Sequence, residues 1–149
     1  MRIRLATYED MEELLRIEEE CFAQERFDTE LLEALVTSAL FRSFVAEDES
    51  GTLGSAMVYL GPHMEEAHIL SIAVLPSARG KGVGKALAQR LEGEAIGAGA
   101  RLMSLEVRMD NTSARKLYLT MGYVERGVID SYFGPGEDAL FMVKRLSSP

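Results

Sequence analysis

The chain has 149 residues, 47% of them apolar and 27% charged, and a formal net charge of −8. That length suits one domain, residues 1–149, with a substantial core, and the composition excludes disordered, fibrous and collagen-like classes. No apolar run approaches the roughly 20 residues that span a bilayer, and outside one glycine turn no basic patch points to nucleic acid. Met1-Arg2-Ile3-Arg4 meets polar residues by Thr7, which predicts no secretory leader and a cytoplasmic protein without membrane contact. Cys21 is the lone cysteine, so an intrachain disulfide is ruled out and a reducing compartment fits. It is expected to be a buried structural thiol. The acidic balance is read first as solubility, and second as a weak attraction for a cationic substrate.

In chain order, Ile3 to Ala6 reads as a strand. Thr7-x-x-Asp10 resembles a capping box, with Asp in the Glu/Gln place, and opens a helix carrying Met11, Leu14 and Leu15. Thr29 caps a second helix with Leu31, Leu32, Leu35 and Val36. Phe44 to Glu47 and Leu53 to Leu60 form a hairpin about Asp48-Glu49-Ser50-Gly51. His68 to Leu75 is a strand with a continuous apolar core, and Lys85 to Ile96 a helix. Leu102 to Val107 is the next strand, and Asn111 or Thr112 starts a helix that Gly122 stops. Tyr123 to Ile129 and Ala139 to Lys144 are the last strands, joined by a glycine-rich loop. The order β-α-α-β-β-β-α-β-α-β-β predicts an α/β protein of seven strands and four helices.

The most informative segment joins the fourth strand to the third helix. Gly80, Gly82 and Gly84 alternate there, among Arg79, Lys81 and Lys85. Glycine admits close backbone approach and unusual dihedrals. The first helical N–H groups are unpaired and partly positive, which suits a phosphate or pyrophosphate. The spacing is not that of a Walker loop, which needs G-x-x-x-x-G-K-[ST]. Nor does it sit at the first strand of a βαβ unit, as a dinucleotide fingerprint does.

Arg79-x-x-Gly82-x-Gly84 after Ile72-Ala73-Val74 resembles the acetyl-CoA signature of GCN5-related N-acetyltransferases, the GNAT superfamily. The resemblance covers nearly the whole chain. It implies the GNAT fold, a central twisted mixed sheet of about seven strands with about four helices on its two faces, and acetyl-CoA as cofactor, with CoA as product. The turn Arg79, Gly80, Lys81, Gly82, Val83, Gly84 and Lys85 would hold the pyrophosphate, and Ile72, Ala73 and Val74 the pantetheine arm. Further motifs are Leu105-Glu106-Val107-Arg108-x-x-Asn111, Ala114-x-x-Leu117-Tyr118-x-x-x-Gly122-Tyr123, Ser131-Tyr132-Phe133 and Gly136-Glu137-Asp138-Ala139. Together they resemble the N-terminal protein acetyltransferases, both the ribosomal-protein alanine (RimI) type and the Ard1 type. The implied acceptor is a protein N-terminus, a ribosomal protein among the candidates. The implied state is a monomer or weak homodimer. Two departures stand out. The loop aromatics are Tyr132-Phe133 where Tyr-Tyr is common, and Cys21 to Phe27 lacks the usual proline. That second segment, with Phe22 and a carboxylate at Glu25, is where substrate choice is expected, together with Tyr132.

The implied reaction needs a neutral amine. A protein α-amine has a pKa of about 7.7–8.0 against about 10.4 for lysine, so a modest base suffices. Glu106 is the first candidate base, matching the alanine-acetyltransferase position. Its other reading is a strand carboxylate paired with Arg108. His68 is the rival base, matching the Ard1 type, because histidine changes charge near physiological pH. The Val74 N–H is the candidate oxyanion donor. Tyr118 is the candidate acid, or hydrogen-bond donor, toward the CoA sulfur. Asn111 serves as a helix cap and, by resemblance, as a contact to pantetheine. His63 is read as loop surface, and Glu137 and Asp138 as turn caps. No metal-ligand spacing and no serine triad is present. Two other readings stay open: an acetyltransferase for lysine or a small amine, and a CoA-binding module without turnover.

Overall fold

A computed structural model describes residues 1–22, 28–62 and 65–146. The elements are strand β1 (Arg2–Leu5), helices α1 (Met11–Phe22) and α2 (Thr29–Thr37), strands β2 (Phe41–Asp48), β3 (Gly51–Tyr59) and β4 (Glu66–Val74), helix α3 (Val83–Gly97), strand β5 (Leu102–Arg108), helix α4 (Thr112–Thr120), and strands β6 (Val124–Ile129) and β7 (Ala139–Arg145). Order and number agree with the sequence reading. All seven strands share one sheet, in the order β1-β2-β3-β4-β5-β7-β6. Only the β4–β5 pair is parallel, and α3 is its crossover.

Helices cover both faces. Along β2, Phe44 and Ala46 face a core built with Val83, Leu87, Leu91 and Ala95 of α3. Val45, between them, faces Leu14 of α1 and Leu32 and Leu35 of α2. The period of two along the strand thus divides its apolar residues between two helical layers.

Several boundaries differ from the sequence reading for local reasons. Asp28, not Thr29, caps α2, its carboxylate accepting the Leu31 N–H at 2.8 Å. Asp10 does accept the Thr7 N–H, at 2.7 Å, but the pair closes a 3-10 turn over Tyr8–Asp10 and α1 starts after it. Asp48 pairs with Gly51, so the hairpin turn is only Glu49-Ser50. Helix α3 starts at Val83, two residues early, because Gly82 caps it in the left-handed conformation at φ 82°.

Two irregularities in β4 matter most for function. Opposite Met57 and Val58 of β3 stand Ser71 and Ile69, so Leu70 is an extra residue, a β-bulge. And β4 pairs with β5 only over Glu66–His68 against Leu102–Ser104. Beyond that the two strands part, while β5 stays paired with β7 as far as Arg108. The parting leaves an opening in the middle of the sheet.

Candidate active site

The β3–β4 register decides what β4 shows to this opening. Leu75 N–H bonds Leu53 C=O at 2.9 Å, so the neighbouring pairs Gly54–Val74 and Ala56–Ile72 are the non-hydrogen-bonded kind. The main-chain N–H and C=O groups of Ile72 and Val74 therefore point away from β3, into the gap. Gly54 is required for this fit. A Cβ there would lie 2.3 Å from the Ala73 carbonyl oxygen.

Two joined clefts occupy the gap. The first, about 300 Å³, runs along Ile72 to Val74 to the glycine turn and the start of α3. Gly80 and Gly82 have φ of 78° and 82°, a region that side chains strain to reach. The first helical bond in α3 is Ala86 N–H to Gly82 C=O, so the N–H groups of Val83, Gly84 and Lys85 have no helical acceptor. Of the predicted turn residues, Arg79, Gly80, Gly82, Val83, Gly84 and Lys85 line this cleft, and Lys81 does not. Arg79 Nε donates to Val74 C=O at 3.0 Å, so the guanidinium braces the strand end. Asn111 lines neither cleft, and its side chain accepts the Ala114 N–H at 3.1 Å as a helix cap. Cys21 is only half-buried and borders the first cleft. Its thiol donates to Val74 C=O at 3.4 Å, and burial pushes its pKa up, away from a nucleophilic thiolate.

The second cleft, about 430 Å³, lies between β4, β5, α1, α4 and the β6–β7 loop. Phe22, Ile72, Ala114 and Tyr118 border both clefts, so the two meet there. Here the structure joins the two rival bases. His68 Nε2 is 2.9 Å from Glu106 Oε1, and His68 Nδ1 is 2.6 Å from Ser104 Oγ. Ser104 donates to the exposed Glu66 at 2.8 Å, and Tyr132 donates to Glu106 at 3.0 Å. The hydrogens can be counted. Ser104 has one and gives it to Glu66, so it accepts from His68 Nδ1–H. A neutral imidazole and an ionised carboxylate then leave Nε2 and Oε1 facing each other without a hydrogen. One added proton completes the chain.

Arg108 does not pair with Glu106. Its guanidinium meets Glu137 and Asp110 and lies 5.3 Å over the Phe133 ring. Glu137 is therefore a partner for Arg108, while Asp138 caps the loop by accepting the Ser131 N–H at 2.9 Å. Burial, then the Glu106 charge, pushes the Tyr132 hydroxyl up to about 12. Tyr118 is 7% exposed, edge-on to Tyr123, and burial raises its pKa well above the ordinary tyrosine value. Glu25 and His63 lie outside the described residues. One residue of this cleft escaped the sequence reading. Glu18 of α1 lines it and is 1% exposed.

A model of the Acetyltransferase (GNAT) family matches residues 8–123. The chain is a GNAT acetyltransferase. Among its relatives is an uncharacterized N-acetyltransferase of Methanocaldococcus jannaschii, 33% identical over 97% of this chain and 92% of the relative. An N-alpha-acetyltransferase of Sulfolobus acidocaldarius is 30% identical over 97% of this chain and 92% of its own length. Among solved structures, the ribosomal-protein-alanine N-acetyltransferase of Brucella melitensis superposes with a TM-score of 0.80 at 28% identity, covering 98% of this chain and all of that one. As a member of this family the acetyltransferase uses acetyl-CoA. The first cleft has what such a ligand needs: main-chain donors without acceptors, glycines that leave room, and an unpaired strand edge.

Proposed function

We propose that this acetyltransferase acts on protein N-terminal α-amines, with direct transfer while donor and acceptor are both bound. The observation that carries the reading is Glu106, which lines the second cleft together with Tyr118 and is backed by His68 at 2.9 Å, His68 itself lining neither cleft. The names of the Sulfolobus and Brucella relatives support the same class.

Acetyl-CoA brings an activated acetyl thioester. The N–H groups of Val83, Gly84 and Lys85 would hold its pyrophosphate, with the Lys85 charge beside them, and the main chain of Ile72 and Val74 would receive its pantetheine arm. On the acceptor side, the His68–Glu106 pair takes one proton from the entering ammonium, and the electron pair stays on nitrogen. That proton fills the gap in the hydrogen-bond chain from Tyr132 to Glu66. The Val74 N–H points into the gap and donates to the carbonyl oxygen as negative charge builds there. As the C–N bond forms and the C–S bond breaks, Tyr118 donates a hydrogen bond toward the leaving sulfur, and the second proton shed by the nitrogen ends on that thiolate, so that the amide and the CoA thiol both leave neutral. Its raised pKa favours that bond over full loss of its proton. Tyr132 holds Glu106 and closes one side of the acceptor cleft, and Phe22 borders the meeting point of the clefts.

Mass spectrometry of peptides incubated with enzyme and acetyl-CoA tests the reading. Peptides with a free N-terminus are expected to gain one acetyl group at the α-amine, and the same peptides with a blocked N-terminus none. Acetylation of blocked, lysine-bearing peptides alone would overturn it.

A further inference from the structure

Helix α1 carries a residue that its packing does not explain. Leu14 and Ile17 are fully buried on its inner side. Glu18 stands one turn beyond Leu14 and two beyond Met11, at the spacing of an apolar stripe, yet it is a carboxyl with 1% exposure. Among the described residues no lysine or arginine pairs with it. Its hydrogen-bond partner among them is the Ser71 hydroxyl of β4, at 3.5 Å, the outer limit of a hydrogen bond. A buried carboxylate without a counter-charge is costly, and an apolar residue or a glutamine would fit the stripe without that cost.

The position of the side chain supplies a reason. Glu18 borders the second cleft, as does Glu106, whose interactions are with His68 and Tyr132. The cationic group on the same wall, Arg108, meets Glu137 and Asp110. Among the described residues, the cleft therefore offers an acidic group with no cation paired to it.

We propose that Glu18 is the seat for the acceptor's ammonium group, so that the cleft takes a primary amine in its cationic form before the His68–Glu106 pair removes a proton. This rests on the reading of the second cleft as the acceptor site. It assigns the recognition of charge to α1 and the proton transfer to β4 and β5. The carboxyl's own state agrees. Burial pushes its pKa up to about 7, and an arriving cation stabilises its ionised form. In the step that follows, one N–H bond of the ammonium breaks and the pair gains that proton. Glu18 keeps its charge throughout and then faces a neutral amine, which is free to move toward the cofactor cleft.

The test compares wild type with Glu18→Gln, which keeps the size and the Ser71 contact and removes the charge. The probes are a short peptide with N-terminal alanine, its N-acetylated form, and an N-acetylated peptide bearing lysine, each titrated by calorimetry with CoA present. Wild type is expected to bind a free-amine form roughly 10- to 100-fold more tightly than the peptide without an amine, the range of a lost charged hydrogen bond. Glu18→Gln is expected to bring that ratio to within about twofold, raise the acceptor KM by a similar factor, and leave kcat and acetyl-CoA affinity nearly unchanged. Retained discrimination in Glu18→Gln overturns the seat, as does an equal loss in Ser71→Ala, which would mark a merely structural contact. So does the absence of binding by either free amine. If wild type acetylates the α-amine while Glu18→Gln discriminates as well as wild type, the seat fails and the proposed function stands. If only the lysine peptide is acetylated, the proposed function fails, and the same ratio measured with that amine still decides the seat.

Discussion

Replacing Glu106 by glutamine probes the pair that carries the mechanism. The Glu106 carboxylate meets the Tyr132 hydroxyl at 3.0 Å and His68 Nε2 at 2.9 Å. Glutamine keeps an oxygen for Tyr132 but offers no group that can take a proton. His68 remains in place as an acceptor. A positioned base contributes about 10²–10⁴-fold, and with His68 left the lower end applies. The expected fall in kcat is therefore about 10²-fold, or about 2.7 kcal/mol at 1.36 kcal/mol per decade. Acetyl-CoA affinity is expected to hold, because Glu106 lines the second cleft and not the first. The assay is CoA thiol release in a single turnover at saturating acetyl-CoA, which separates transfer from product release. A second comparison is sharper. If His68 and Glu106 act as one proton acceptor, the double variant with His68→Ala loses little more than the worse single variant. An unchanged single-turnover rate in Glu106→Gln refutes the base. Losses that multiply refute the pair and leave two independent bases.

Three further outcomes follow from the geometry. Gly54→Ala forces β3 and β4 apart at the cofactor edge, since the added Cβ meets the Ala73 oxygen at 2.3 Å. It is expected to lower stability by about 1–3 kcal/mol in urea unfolding and to weaken acetyl-CoA binding. Tyr118→Phe is expected to reduce single-turnover kcat by about tenfold, in line with one lost hydrogen bond of about 1–1.5 kcal/mol, with acetyl-CoA affinity kept. An unchanged rate would remove Tyr118 from the chemistry. The third outcome is a pH dependence. Glu18 titrates at about 7 in the fold against 4.5 ordinarily, so between those values the folded state binds more protons than the unfolded. Stability attributable to Glu18 therefore falls as pH rises through that window, by about 3 kcal/mol at most. Urea midpoints of wild type and Glu18→Gln at pH 5 and pH 8 should diverge toward alkaline pH, with the variant the more stable. Parallel midpoints would show that the carboxyl is not stressed.

The element order was legible because each segment carries its own period and its own stop. Gly82 and Gly122 punctuate the helices, and Phe44, Val45 and Ala46 alternate between the two cores. The glycine turn was legible for a related reason. Binding by main chain needs glycine at set positions, and a spacing is visible in one dimension. The bulge at Leu70 was not, since an extra leucine is invisible beside Ile69 in the largely apolar strand from His68 to Val74. The rival bases stayed rivals because their contact spans 38 residues, and Ser104 and Glu66 entered only with the register of the parallel pair. Glu18 hid within a run of three glutamates. Its phase relative to Met11 and Leu14 was the available signal, and it reads as an error in an amphipathic helix unless a cleft lies beneath it.

The division of the gap between main chain and side chains bears on how such a scaffold can change. The groups facing the donor side are peptide atoms of Ile72, Val74 and the first turn of α3, and almost any side chain leaves peptide atoms in place. The acceptor side is walled by Glu18, Phe22, Tyr132 and Phe133, contributed by a helix and a loop at the margins of the sheet. On the proposed reading, replacing Glu18, Tyr132 or Phe133, which border the second cleft and not the first, is expected to alter which amine is admitted and to leave the lining of the donor cleft in place. New target preferences are therefore reachable by single substitutions, each starting from a catalyst that is already charged with its reagent.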